Sequence, residues 1–415
     1  MKSKEFIFVI ILILLVIIPS CKSRQKISDT GKNMRESISI KDISEANNEF
    51  AISLYKKIGD EAKNVVFSPY SISSALAVTY AGAKENTARE MADVLWFPED
   101  QETFHPGYKA FTDSILLTGI EKGTEFRIAN ALWVQEDYKL RQDFLELADS
   151  CYNAKAENVN FKNPEELELT RQKINRWVEK ITNDKIRDLI PQGVLQELTR
   201  LVITNAIWFN GNWSDPFDKS STSASLFNIS SERSVNTDFM HHKSHAGYYE
   251  DEEVQALELA YKGNKKSMII ILPKETDGWK LVGRVLTPQR LNIITGSMED
   301  KEVEMAIPKF TFENQFNLKE TLIQMGMKVP FSNDADFTGM TASNDLKIDE
   351  VIHKAFIEVN ESGTEAAAAT AVIMVLKSAL QEETIRFTAN HPFIYFIMDK
   401  TTGGIIFMGR LVNPE

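Results

Sequence analysis

ESGTEAAAATAVIMVLKSAL, residues 361–380, is apolar and small at once, a combination that suits few ordinary roles. Ala366, Ala367, Ala368 and Ala369 favour a helix on propensity alone. Gly363, Thr364 and Thr370 interrupt that pattern, and Val372, Ile373 and Val375 favour a strand. With a period of two, Thr364, Ala366, Ala368, Thr370, Val372, Met374 and Leu376 share one face, while Glu365 and Lys377 fall on the other. One face is therefore free of charge, small at its start and bulkier towards its end. Such a segment can slide as a strand between two existing strands, because small side chains meet little resistance. It can equally stay an exposed loop, because alanine drives strand pairing weakly. Two possible homes predict a switch; an Ala-rich surface helix or a plain connector is the alternative.

The rest of the 415-residue chain limits what such a switch can serve. A hydrophobic content of 43% provides for a large core. A formal charge of −12 with no basic block argues against nucleic acid as a partner. Lys2 and Lys4 precede an apolar run from Phe6 to Ile18, too short to span a bilayer comfortably and suited to a signal peptide over residues 1–20. Ile18-Pro19-Ser20-Cys21 resembles a bacterial lipoprotein cleavage box, although Pro19 departs from the usual small residue. That resemblance implies lipidation of Cys21 and an exported protein anchored to the cell envelope, or secreted if Cys21 is not lipidated. With Cys21 lipidated, Cys151 has no disulfide partner. Residues 21–44 then read as the lipidated cysteine and a polar, flexible tether spanning on the order of 25 Å.

Between Glu45 and Glu415 no repeat or second linker appears, which predicts one domain. Apolar residues at Phe50, Leu54 and Ile58 have helical spacing. Asn64–Ser71 reads as a short strand leading into a helix at Ser68-Pro69, and Ser71–Leu95 as largely helical with a break near Gly82. Phe126–Val134 and Leu201–Phe209 read as buried strands, and Gln255–Tyr261 with Met268–Leu272 as a hairpin turned at Lys262-Gly263-Asn264. Val303–Phe312 and Thr384–Val412 add strands. Helices early and strands late predict an α+β architecture with largely antiparallel sheets.

Several motifs in order now carry a family resemblance. VIHKAFIEVN-ESGTEAAAAT, followed by FTANHPFIYFI, resembles the hinge and reactive-centre loop of the serpins. FSPYSISSALAVTYAGAKENTAREM, LVITNAIWFNGNWSDPF, EVEMAIPKFTFENQFNLKETLIQMGM and GGIIFMGRLVNP resemble further serpin segments. The resemblance implies a serpin domain over residues 45–415 with a large central sheet, two smaller sheets and about nine helices. It implies a reactive loop over residues 361–381, with hinge residues Glu361, Gly363, Thr364, Glu365, Ala366 to Ala369 and Thr370. Ser68, Ser71, Asn205 and His353 match the family's polar shutter beneath the sheet. Trp213 matches the tryptophan where the loop first enters, and Lys309 with Glu361 matches an ion pair at the sheet top.

The activity implied is suicide inhibition of a serine protease, with cysteine proteases as a second class of target. Counting from the hinge puts the attacked bond at Lys377–Ser378, which suits a trypsin-like enzyme; cuts after Met374 or Leu376 are the competitors. The rival function is a non-inhibitory serpin that only binds a partner, yet Gly363, Thr364 and the four alanines suit rapid insertion. The Lys84–Asp100 region is balanced or acidic, so no heparin-like activator is expected. A monomer without cofactor follows. The chain has no G-x-S-x-G elbow, Gly-rich phosphate loop or H-E-x-x-H, so no enzyme is expected. His241-His242-Lys243-Ser244-His245 alone suggests a metal, but as a loop its adjacent histidines diverge and a solvated loop is expected instead.

Overall fold

The computed structural model describes residues 38–58, 62–117, 123–364 and 385–415, of which Ser37–Glu415 belongs to one compact unit. Its first helix, α1 (Ile40–Ile58), is started by a reciprocal cap: Ser39 Oγ accepts from the Asp42 N–H, and Asp42 accepts from the Ser39 N–H and hydroxyl. Residues 40–44, expected to be tether, are thus helix, with Ile43 and Ser44 buried. A Ser-x-x-Asp cap preceded by Ile38 was the sequence signal for this.

β1 (Val65–Phe67) leads to Ser68, whose hydroxyl caps α2 (Pro69–Gly82), with proline in its first turn. α3 (Glu85–Leu95), α4 (Gln101–Leu117), β2 (Thr124–Gln135), α5 (Gln142–Tyr152), β3 (Lys155–Val159), α6 (Pro164–Ile181) and β4 (Leu201–Asn212) follow. Then come β5 (Ser223–Asn228), β6 (Ser234–Glu250), β7 (Val254–Ala260), β8 (Lys266–Pro273), α7 (Trp279–Val285), α8 (Pro288–Gly296), β9 (Glu299–Pro308) and β10 (Phe310–Asn317). α9 (Lys319–Met325), β11 (Glu350–Asn360), β12 (Gly363–Thr364), β13 (Ile385–Thr388), β14 (Phe393–Asp399) and β15 (Ile405–Leu411) complete nine α-helices and fifteen strands among the described residues.

The central sheet is mixed, in the order β10-β11-β12-β4-β2-β3. Every other strand belongs to a second sheet, β1-β15-β14-β8-β7-β6-β9-β13, with β5 on β6. The two smaller sheets expected are joined by β6, which pairs with β5 and β9 and, at its far end, with β7. α2 is apolar nearly all round and lies between the sheets, packed on β2, β4 and β15. Its N-terminus is thereby fixed beneath the centre of the main sheet.

Two sequence expectations fail for local reasons. Val303–Phe312, expected as one strand, breaks at Lys309, and its halves join different sheets. The histidine-rich segment is not a loop but the middle of β6.

A candidate strand-insertion site in the central sheet

β11 and β4 are parallel neighbours from Glu350–Val202 to Ala355–Ile207. Above that they part, and β12 lies between them, antiparallel to both: Gly363 faces Asn360 and Asn212, and Thr364 faces Val359 and Gly211. The first two residues of the hinge therefore already occupy a strand slot. Gly363 is required there. Its φ is +150°, and an added Cβ would lie 2.0 Å from the Gly211 carbonyl oxygen. Gly211 in turn leaves space beneath for Phe209 and Tyr261, whose rings a Cβ would meet within 3 Å.

Thr364 is buried, 1% exposed, and its hydroxyl bonds the Tyr261 hydroxyl at 2.6 Å. Burial drives the Tyr261 phenol far above its usual pKa, so it is neutral at any working pH. Tyr261 stacks on Trp213 with ring centres 4.7 Å apart. Trp213 Nε1–H donates to the Asn360 carbonyl at 3.0 Å and its backbone N–H to the Ser362 carbonyl at 2.9 Å. The tryptophan thus holds the bend that turns β11 into β12.

Glu361 is buried at the same bend. It accepts from the Thr222 hydroxyl at 2.8 Å and pairs with Lys309 Nζ at 3.1 Å. Burial alone would raise its pKa, but its own backbone N–H, Thr222 and Lys309 outweigh that and lower it. Lys309 is 36% exposed, so water screens the pair and its worth is about 1 kcal/mol or less.

Below the slot lies a buried polar chain. Ser68 Oγ accepts from the Ser71 N–H at 3.1 Å and donates to the Ile406 carbonyl at 2.6 Å. The Ser68 N–H donates to His353 Nε2 at 3.2 Å, so the ring proton sits on Nδ1, which donates to Asn205 Oδ1. Asn205 Nδ2 faces the Ser71 carbonyl at 2.9 Å, the Ser71 hydroxyl and Asn130 Oδ1, and Asn130 continues to Ser74 Oγ at 3.1 Å. Burial pushes the His353 pKa down to about 3, so the ring is neutral. Phe316 stacks parallel to it.

The structure thus brings Ser68, Ser71, Asn205 and His353 together under the β4–β11 junction, and Trp213, Lys309, Glu361, Gly363 and Thr364 together above it. Tyr261, Thr222 and Asn130 join these groups without having been singled out from sequence; nothing local marks them. Glu365, Ala366, Ala367, Ala368, Ala369, Thr370, Lys377, Ser378 and Cys21 lie outside the described residues. His242 bonds Asp215 at 2.8 Å, His245 approaches Asp300 at 3.4 Å and His241 meets Ser223 at 3.2 Å. Among the described residues no three potential ligands converge on a metal position.

A family sequence profile described as serpin (serine protease inhibitor) matches residues 45–414, which include both the strand slot and the buried polar chain beneath it. The chain belongs to the serpins. An uncharacterized serpin-like protein of Thermococcus kodakarensis is 42% identical over 90% of this chain and 86% of its own. The crystal structure of a highly specific serpin in the insect Tenebrio molitor superposes with a TM-score of 0.81 at 31% identity, covering 90% of this chain and 98% of that one. Human thyroxine-binding globulin, crystallised with thyroxine, reaches 0.82 at 29% identity over 91% of this serpin and 100% of its own chain.

Proposed function

We propose that this serpin is a suicide inhibitor of serine proteases, cleaved at Lys377–Ser378 by a trypsin-like enzyme. The observation that carries this is the register of the slot. Thr364 faces Val359 and Gly211, and each further loop residue steps one position back along both flanking strands. Residues 365–367 would face Glu358 to Phe356 on one side and Asn210 to Trp208 on the other, where β11 and β4 are already apart. From Ala368 onward each residue must separate one β11–β4 pair, beginning with Ala355–Ile207. Thr370, six residues past Thr364, would arrive between His353 and Asn205.

The chemistry follows from that geometry. The protease's nucleophile attacks the Lys377 carbonyl, the peptide bond to Ser378 breaks, and the new amine leaves with residues 378 onward. The loop, still esterified to the protease, then fills the slot from Thr364 downward. Its even-numbered residues share Thr364's buried side, so Ala366 and Ala368 pass through a tight space and Thr370 brings a hydroxyl to the polar lock. Burial and pairing withheld from the intact fold supply the drive, which makes the native state kinetically trapped. Displacement of the tethered protease distorts its catalytic centre before water releases it. The same reading takes the protein as a monomer held to the cell envelope by lipid on Cys21.

The test is a denaturing gel of Ser37–Glu415 mixed with trypsin in slight deficit, with mass spectrometry of the released fragment. A covalent complex and a fragment starting at Ser378 are expected. A fragment starting at Val375 or Lys377 moves the cut, and cleavage without complex by trypsin, chymotrypsin, elastase and subtilisin alike overturns inhibition in favour of a binding-only serpin.

A further inference from the structure

We propose that the outer face of α7 and α8, with the cationic end of α1, docks against an anionic lipid bilayer; this rests on the lipid-anchor reading of Cys21. Single exposed apolar side chains are ordinary on a soluble domain. Here three of them coincide with cations at one corner. Trp279 and Gly283 of α7 turn inward, and a Cβ on Gly283 would meet the Tyr55 ring of α1 at 3.0 Å. The helical period then sends Leu281 and Val285 outward together, 58% and 51% exposed, beside exposed Lys280 and Arg284. On α8, Leu291 and Ile294 are buried and Ile293 faces out, 54% exposed.

Charge within α7 and α8 runs against the rest of the protein. From Gly278 to Met298 there is no Asp or Glu, and Lys280, Arg284 and Arg290 contribute three cations to a chain of net charge −12. Exposed Lys56 and Lys57 end α1 just past Tyr55. Arg410 stacks over Trp279 at 4.9 Å and donates to the Lys63 carbonyl, which places Lys63 at the same corner. Among the described residues the neighbouring acids are Glu275 and Asp277 before α7, Glu49, which accepts from Gln289, and Asp251 and Glu253, which pair with Arg290; Asp60 and Glu61, between Lys57 and Lys63 in sequence, lie outside them.

Two features point to a bilayer as the occupant. Ile40, Lys41 and Ser44 of α1 line one cleft with Asn292 of α8, so the chain carrying Cys21 and the apolar run Phe6–Ile18 joins the domain beside this face. Second, apolar side chains flanked by Lys and Arg on one helix face are the chemistry that lies in an anionic interface. Among the described residues no helix is long and apolar enough to cross a membrane.

The test uses Ser37–Glu415, which holds every described core residue, floated with vesicles of phosphatidylcholine alone or mixed with phosphatidylglycerol. Salt-sensitive flotation with the anionic vesicles only is expected. It should fall roughly tenfold or more in a Lys280→Glu/Arg284→Glu variant and in a Leu281→Ser/Val285→Ser/Ile293→Ser variant of unchanged melting temperature. Equal flotation of variants and wild type, or none by wild type, overturns the proposal. So does a dimer that the apolar variant dissociates in ultracentrifugation, or slower protease complex formation by either variant. Palmitate labelling of the full chain against Cys21→Ser tests the anchor separately. Flotation without label leaves this face standing and removes the anchor; label without flotation does the reverse.

Discussion

Replacing Thr364 by arginine tests the inserted hinge most directly. Thr364 is 1% exposed between β11 and β4, and its hydroxyl is the partner of the buried Tyr261 hydroxyl. An arginine cannot stay there, because a buried, unpaired guanidinium costs far more than the two residues of pairing can offset. The hinge is expelled instead, which strands the Tyr261 hydroxyl without its threonine partner at a cost of about 1–3 kcal/mol. A bias of about 1–3 kcal/mol corresponds to roughly 5- to 150-fold against the first step of insertion. After acylation, insertion races hydrolysis, so the variant should be consumed as a substrate. The assay is the number of serpin molecules spent per protease trapped, read by titrating residual protease activity. Wild type should need close to one, Thr364→Arg many, and Thr364→Val an intermediate number, since it loses the hydroxyl but stays apolar. If Thr364→Arg traps protease as efficiently as wild type, insertion does not begin at this residue.

Three further outcomes follow. Because burial holds His353 near a pKa of about 3 and His105 near about 4, both below the usual histidine value of about 6.5, the unfolded chain binds protons that the folded one refuses; stability is therefore full above about pH 6.5 and falls as pH drops towards those values. Urea midpoints at pH 7 and 4.5 should differ less in His353→Gln than in wild type, and an identical drop would refute the assignment. Gly363→Ala should expel the hinge, since its Cβ cannot share space with the Gly211 carbonyl; altered Trp213 fluorescence checks this, and an unchanged spectrum with normal trapping would refute it. Lys309→Ala should cost about 1 kcal/mol or less by thermal melting, because the pair is half in water and Glu361 keeps its bond to Thr222; a much larger loss would show a tighter pair than the exposure indicates.

What could be read in advance was local. The caps at Ser68 and the turn at Lys262-Gly263-Asn264 announce themselves, with Gly263 and Asn264 at positive φ in the structure. Alternation in the hinge foretold that Thr364 would face inward. What escaped depends on partners far away along the chain. Tyr261 meets Thr364 across 103 positions and Asn130 meets Asn205 across 75, and no spacing in either segment encodes the meeting. The break at Lys309 escaped because both halves have strand character; only the divergence of two sheets separates them. The histidines of β6 looked like a loop because polar residues alternate there, as they do on any strand with one wet face.

The constant register of the slot sets a mechanical quantity. The partners of β11 and β4 keep the same offset where the strands touch and where β12 divides them, so the groove is cut at one pitch along its length. On the insertion reading, a loop moving down it passes three open positions and then, from Ala368, exchanges one pair of neighbours for two at each step, with no point at which to slip. From Thr364 to Ile373, the residue that would face Glu350 and Val202, nine steps at about 3.3 Å each give a stroke of about 30 Å. On the proposed reading the fold is a single-use spring with a toothed track, and this is the length of loop it can draw in.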